Sequence, residues 1–163
     1  MSFESDFLVL GSGIAGLFSA LRLAEHGTVA VITKKEAAES NTNYAQGGIA
    51  SVFHPNDSFE QHIHDTIEAS AGLCREEAVR RIVELGPALV QELFSLGVDF
   101  TKRPDGHFDL GREGGHQHER IVHVKDHTGR DVEKALVDAV RSHPNIEMFT
   151  EHAAIDLITE HHV

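Results

Sequence analysis

The chain has 163 residues, one domain's length and enough to bury about two-thirds of its unfolded surface, with 26 acidic against 14 basic residues and a formal net charge of −12. That balance excludes nucleic acid and anionic membrane as main partners, and the 13 histidines soften it only below neutral pH. A lone cysteine, Cys74, excludes an intrachain disulfide, the opening Met1 to Asp6 lacks the basic and apolar regions of a signal peptide, and no apolar run has membrane-spanning length. These features predict a soluble protein of the reducing cytoplasm.

The first predicted strand is the apolar run Phe7-Leu8-Val9-Leu10, followed by Gly11-Ser12-Gly13-Ile14-Ala15-Gly16 and an amphipathic stretch from Leu17 to Glu25. Gly11 permits a tight turn, Gly13 lets a pyrophosphate approach the main chain without a Cβ in the way, and Gly16 lets the helix lie close on the strand. The N–H groups of the helix's first turn, at its positive dipole end, then face the phosphates. A glycine turn can also be an ordinary βα connection, so the context matters. Ile14, Leu17, Phe18, Leu21 and Ala24 share one helical face, Gly27 is a stop signal, and Val29 to Ile32 reads as a second strand. Together they make a βαβ unit of the ~30 residues that a dinucleotide fingerprint needs. The acid expected about 20 residues past the first glycine is missing. Thr33-Lys34-Lys35 stands there, with Glu36 and Glu39 too late, and Lys34 favours a phosphate. The fingerprint alone leaves FAD, NAD and NADP open.

Next comes Ser40-Asn41-Thr42-Asn43-Tyr44-Ala45-Gln46-Gly47-Gly48-Ile49-Ala50, polar, glycine-containing and poor in charge. Paired glycines let a main chain pass against a flat ring, and neutral Asn, Thr and Gln side chains suit a heterocycle's polar edge. A plain surface loop has the same composition. The run resembles the flavin-contact segment of the FAD-dependent oxidoreductase family that includes L-aspartate oxidase and the flavoprotein subunits of succinate dehydrogenase and fumarate reductase. Further motifs extend this resemblance over the whole chain in the family's order. It implies FAD held by Gly11, Ser12, Gly13, Ile14, Ala15, Gly16, Lys34 and the residues Asn41, Thr42, Asn43, Tyr44, Ala45, Gln46, Gly47 and Gly48. In the dehydrogenase branch a histidine carries the covalent flavin bond where this chain has Asn41, so the resemblance implies non-covalent FAD.

Helical patterns run from Ser58 to Gly72 and from Arg75 to Gly97, with Val79, Ile82, Val83, Leu89, Val90, Leu93 and Phe94 as the buried stripe. Gly86-Pro87 divides the second stretch into two helices, with proline in the first turn of the new one. Cys74 reads as a packed thiol, because no activating arrangement surrounds it. His62 and His64 point to different faces of a helix, and neither they nor His116 and His118 match a metal-site spacing. No metal is expected, and most histidines read as solvated.

The stretch Arg112-Glu113-Gly114-Gly115-His116-Gln117-His118-Glu119-Arg120 concentrates charge on flexible backbone after a turn at Pro104-Asp105-Gly106. By composition it is a solvated loop. It resembles the Arg-Glu-Gly-Gly-His stretch that lies near the substrate in aspartate oxidases, which implies that Glu113 orients the substrate ammonium. Arg120-Ile121-Val122-His123 and Asp126-His127-Thr128-Gly129-Arg130 continue the resemblance, with Thr128 or Asp131 as cap of a helix from Val132 to Arg141. Two strand candidates close the chain, Ile146 to Phe149 and Ala154 to Thr159.

The fold expected is α/β, a partial Rossmann-like FAD-binding fold, namely the N-terminal portion with inserted helices. The resemblance implies that 1–163 is the N-terminal part of the FAD-binding domain, without the family's capping and C-terminal helical domains. For the full enzyme it implies oxidation of L-aspartate to iminoaspartate with oxygen or fumarate as acceptor. That reaction feeds NAD biosynthesis through quinolinate, with quinolinate synthase as functional neighbour; the isolated chain is not expected to turn over. Two alternatives stand beside it: a fragment of a fumarate reductase or succinate dehydrogenase flavoprotein, and a non-catalytic nucleotide-binding module.

Overall fold

The computed structural model describes residues 3–125 and 127–159, and the chain divides into two units, Met1–Tyr44 with Val132–Val163, and Ala45–Asp131. In the first unit, β1 (Phe7–Leu10) leads into α1 (Ile14–Leu23) and then β2 (Val29–Ile32). A late strand, named β6 below in chain order (Ile146–Phe149), pairs with the other edge of β2, giving a parallel sheet of order β1-β2-β6. The register sets Leu8 opposite Ala30 and Ala30 opposite Glu147. A central parallel strand is covered on both faces and so reads as an unbroken apolar run, which is why Val29, Ala30 and Val31 are all buried. Val9, Ala20, Ala24, Val29 and Val31 form the core here, with Phe7, Leu23, Ile146 and Met148 packed against it.

Helix α1 starts at Ile14, the first residue of the expected apolar face, with Gly13 in extended conformation as its N-cap. After β6 the chain stays tethered by the His152 N–H on the Thr33 carbonyl at 3.0 Å. The second strand expected there, Ala154 to Thr159, is not formed. A strand needs a neighbour for its N–H and C=O groups. Among the described residues none pairs with this stretch, and Ile155 and Ile158 are 96% and 94% exposed.

In the second unit, β3 (Ile49–Ala50), β4 (Leu110–Gly111) and β5 (Ile121–Val122) form a small antiparallel sheet of order β3-β5-β4. Helix α2 (Phe59–Ala69) starts where the sequence marks it, at Ser58, whose Oγ accepts from the Gln61 N–H at 3.2 Å. Helix α3 (Glu76–Ser95) packs on it through Ile63, Val79 and Val83, with Ile67 and Cys74 alongside. The Cys74 Sγ lies 2.9 Å from the Ser70 Oγ, a packed thiol as expected.

The expected break at Gly86-Pro87 does not occur: α3 runs through Pro87 unbroken. An interior proline costs about 3 kcal/mol. Val79, Val83, Val90 and Leu93 are all buried on one continuous stripe across it, and each such side chain stabilises by about 1.5–3 kcal/mol. The stripe is narrower than predicted, since Ile82, Leu89 and Phe94 lie exposed.

Helix α4 (Thr128–Ser142) begins in the second unit and continues into the first. Val132, Leu136, Val137 and Val140 are its buried positions. It starts four residues before the expected Val132. Thr128 therefore sits inside the helix, and its Oγ1 accepts from the Val124 N–H at 3.0 Å, binding the preceding loop instead of capping. Asp131 falls in the first turn, at the positive end of the helix. Asp126, which opens the Asp-His-Thr-Gly run, lies outside the described residues.

Candidate functional site

In the first unit a cleft of about 400 Å³ opens at the carboxyl ends of β1 and β2, the end of a parallel sheet where ligands bind. Its floor is the glycine turn. The three glycines there differ in what they need. Gly11 has φ +105°, a left-handed conformation. A Cβ on Gly16 would overlap the Gly11 carbonyl. Gly13 needs neither concession: its φ is −71°, and a Cβ there would meet only Thr42 Oγ1, at an ordinary 3.6 Å. The protein's own packing leaves that position open, on the cleft side, which is what the close approach of a dinucleotide's phosphates requires.

The first turn of α1 adds donors, because its N–H groups have no acceptor within the helix. That of Ile14 is taken by Thr42 Oγ1 at 3.1 Å, and the helical ladder starts at Leu17, whose N–H donates to the Gly13 carbonyl at 3.0 Å. Ala15 and Gly16 lie in the same turn. Buried Ser12 places its Oγ 2.9 Å from Thr33 Oγ1 and so fixes the glycine turn to the end of β2.

Lys34, Asn41 and Thr42 line the cleft as expected from the sequence, and Asn43 stands behind them, its N–H on the Ser40 carbonyl at 3.2 Å. Glu39, too late by spacing, lines it as well. The Tyr44 hydroxyl donates to both Glu39 oxygens, at 2.8 and 2.9 Å, and Lys35 Nζ lies 3.4 Å away. The tyrosine first and the lysine second hold this carboxyl below its ordinary range, while Glu39 raises the Tyr44 phenol. Ser40, His152 and Ala154 complete the walls. Nothing local in the sequence marks the last two. Glu133 of α4 is fully buried, with neither carboxylate oxygen hydrogen-bonded among the described residues. Burial raises its pKa, and the nearby Ser40 hydroxyl offsets only part of that.

In the second unit Ala45, Gln46, Gly47 and Gly48 are exposed. Gly48 is accounted for by packing, since a Cβ on it would overlap Ile121 Cγ2 and the Val122 carbonyl of β5. A Cβ on Gly47 would meet nothing within 4 Å beyond its chain neighbours.

The loop 112–120 divides in two. Glu113 is exposed at a turn closed by the His116 N–H on its carbonyl at 3.2 Å, and among the described residues its carboxylate has no ion-pair partner. Arg120, at the other end, is 0% exposed. Its Nε and Nη2 donate to Asp57 at 3.0 and 2.8 Å, and its Nη1 lies 3.0 Å from Asp65 Oδ2, which also accepts the Gln117 N–H at 3.0 Å. Burial would raise Asp65, but the Gln117 N–H and the guanidinium outweigh it and hold the group below its usual range. His62, far from being solvated, is buried with its ring 5.9 Å from that of His116. Burial first, and Arg120 second, push it down to about 4, and the same two causes lower His116. This cluster was missed in the sequence because Arg120 and Asp57 are 63 positions apart. A larger hollow of about 660 Å³ in this unit is walled by Phe53, Phe94 and Phe108, with Lys102 Nζ 3.8 Å from the Phe94 ring centre. It has aromatic faces, and the turn at Asp105–Gly106 that lines it does not lead into a helix.

A parallel βαβ unit whose glycine turn spares room for a ligand at a helix N-terminus defines a nucleotide-binding α/β protein. The chain belongs to the FAD binding domain family, whose model matches residues 6–163, and FAD is its cofactor. It is 58% identical over 154 residues to L-aspartate oxidase 2-a, chloroplastic, of Nicotiana tabacum, covering 94% of this chain and 24% of that one. To the L-aspartate oxidase of Vibrio cholerae it is 48% identical over 162 residues, covering 96% of this chain and 30% of that one. The fold matches a variant of E. coli quinol fumarate reductase with TM-score 0.88 and 34% identity, over 91% of this chain and 26% of that one. The chain thus spans about a quarter of the length of the tobacco relative. Among the described residues no helix is long and apolar enough to cross a membrane.

Proposed function

We propose that this chain is the N-terminal part of the FAD-binding domain of an L-aspartate oxidase, which oxidises L-aspartate to iminoaspartate in the cytoplasm, with a functional link to quinolinate synthase. The observation that carries this reading is the identity of 58% and 48% to proteins named L-aspartate oxidase, against 34% to the fumarate reductase. The fumarate reductase reading remains the rival, favoured by the fold match alone. Bound FAD would supply two-electron acceptor chemistry for the α-hydrogen of aspartate, with oxygen or fumarate as the final acceptor.

The chain's own residues bind and orient. The Gly11–Gly16 turn and the positive end of α1 hold the pyrophosphate, Gly13 by lacking a side chain in the cleft. Lys34, Asn41 and Thr42 line the cleft that takes the dinucleotide, and the segment Asn43 to Gly48 is assigned to the flavin by the resemblance of its sequence. Asn41 offers an amide where a covalent link needs a histidine, so FAD is held without a bond to the protein and should leave intact on acid denaturation. Glu113 reaches the substrate's α-ammonium. Its exposed carboxylate, without an ion-pair partner among the described residues, supports this, because a group that only anchored its loop would have a partner, and Arg120 is occupied by Asp57 and Asp65.

Aspartate and succinate share a carbon skeleton, so only a group that senses the ammonium separates them. A charge-assisted contact of this kind is worth about 1.5–3 kcal/mol, roughly ten- to hundredfold. Glu113→Gln in the whole protein should lower kcat/KM for L-aspartate by that order and leave fumarate reduction much less affected. Equal losses in both reactions would reject the role of Glu113, and no aspartate oxidation by the unaltered protein would reject the function.

A further inference from the structure

The first unit keeps a buried carboxyl group that the proposed reaction does not use. Glu133 is 0% exposed and both of its oxygens lack hydrogen-bond partners among the described residues. Buried polar groups in folded proteins are nearly always satisfied, because leaving one without a partner costs free energy. A fold that retains such a group has a use for it. The polar group that acts on Glu133 is the Ser40 hydroxyl. Ser40 opens the loop whose Asn41 and Thr42 line the cleft, and Thr42 in turn takes the first N–H of α1. Helix α4 also meets the far end of that loop, where the Gly129 N–H donates to the Ala45 carbonyl at 3.0 Å. Each contact lies within its own unit.

We propose that Glu133 is a positioning residue for the cofactor: its carboxyl group is the internal partner of the loop Ser40–Tyr44 and, through Ser40, sets Asn41 and Thr42 against FAD in the cleft. This rests on the assignment of that cleft to FAD. Burial raises the pKa of the group while the Ser40 hydroxyl lowers it, so the hydroxyl donates and the carboxyl group is its acceptor. A glutamine keeps that shape and an acceptor oxygen, whereas a leucine fills the volume and removes the acceptor.

The test is FAD affinity, read by flavin fluorescence during titration of the whole apo protein, together with the Tm of the apo form. Glu133→Leu should raise the FAD Kd at least roughly tenfold without lowering the apo Tm, since it deletes an unsatisfied buried polar group. Glu133→Gln should stay within about threefold of the unaltered protein. Ser40→Ala should weaken FAD as well, and should add nothing in the Glu133→Leu background, as groups acting through one contact are not additive. Unchanged affinity in the leucine variant overturns the proposal. So does a fall in affinity accompanied by a fall in apo Tm, which would mark a packing role. An unaltered protein that takes up no FAD fails at an earlier point, the assignment of the cleft.

Discussion

The two units use polar residues in opposite ways. In the cleft of the first unit, Gly13, Asn41 and Thr42 offer a ligand space and neutral groups, while one buried carboxyl of the same unit, Glu133, has no ion-pair or hydrogen-bond partner among the described residues. In the second unit Arg120 is ion-paired with Asp57 and Asp65 out of water and His62 beside them is held neutral, although Arg120 Nη1 and His62 Nδ1 make no hydrogen bond among the described residues. The difference teaches where to look for function. A buried charge with opposite charges beside it is explained by those partners, whereas an open glycine and a buried carboxyl with no opposite charge are not explained by the fold alone.

The largest effect that sharpens this contrast is Arg120→Met, which leaves two buried carboxylates unpaired and should cost about 3–5 kcal/mol in denaturant titration. Adding Asp57→Leu and Asp65→Leu should recover most of it. Failure to recover would mean that the cluster does more than satisfy itself. The next effect is on pH. Unfolded His62 titrates near 6.5 and the folded residue at about 4, so below 6.5 the unfolded state binds a proton that the folded state refuses. Stability of the second unit should therefore fall by about 3 kcal/mol between those values, and His62→Gln should flatten the fall. Glu133 is raised in the folded state. Its contribution is full below the unfolded value of 4.5 and is lost as pH rises through the folded one, so the first unit should respond in the reverse sense. Hydrogen exchange measured unit by unit against pH separates the two, and responses of the same sign would break the comparison.

Smaller effects distinguish the glycines. Gly16→Ala should destabilise by about 1–3 kcal/mol through overlap with the Gly11 carbonyl. Gly13→Val should cost no more than about 1 kcal/mol, as a poorer N-cap, yet remove most of the FAD affinity. If FAD uptake survives that change, the open position serves the turn only. Last, Ser12→Ala should cost about 1 kcal/mol by leaving Thr33 Oγ1 without its buried partner.

Local signals were legible wherever the chemistry is local. The glycine turn, β1, β2 and the Ser58 cap stand at the positions their residues mark. Pro87 misled because its local cost is outweighed by a stripe of burial that only the packing of α3 reveals. Ala154 to Thr159 has strand composition without a strand beside it. Glu39 reaches the cleft by a turn at Glu36–Glu39, closed by its own N–H on the Glu36 carbonyl, that spacing along an extended strand does not foresee. Arg120 and Glu133 look like surface charges in the sequence, and their burial depends on residues far along the chain.

The Tyr44–Glu39 hydrogen bond has an optical consequence. The chain holds one tyrosine and no tryptophan, so its near-ultraviolet emission comes from a ring whose hydroxyl rests on a carboxylate at the cleft wall. A phenol bonded to an ionised acid is already partly quenched. Freed from Glu39 it brightens; beside a bound chromophore that absorbs in its emission band it dims further. The cleft therefore carries its own reporter, and occupancy can be followed in this chain without any label.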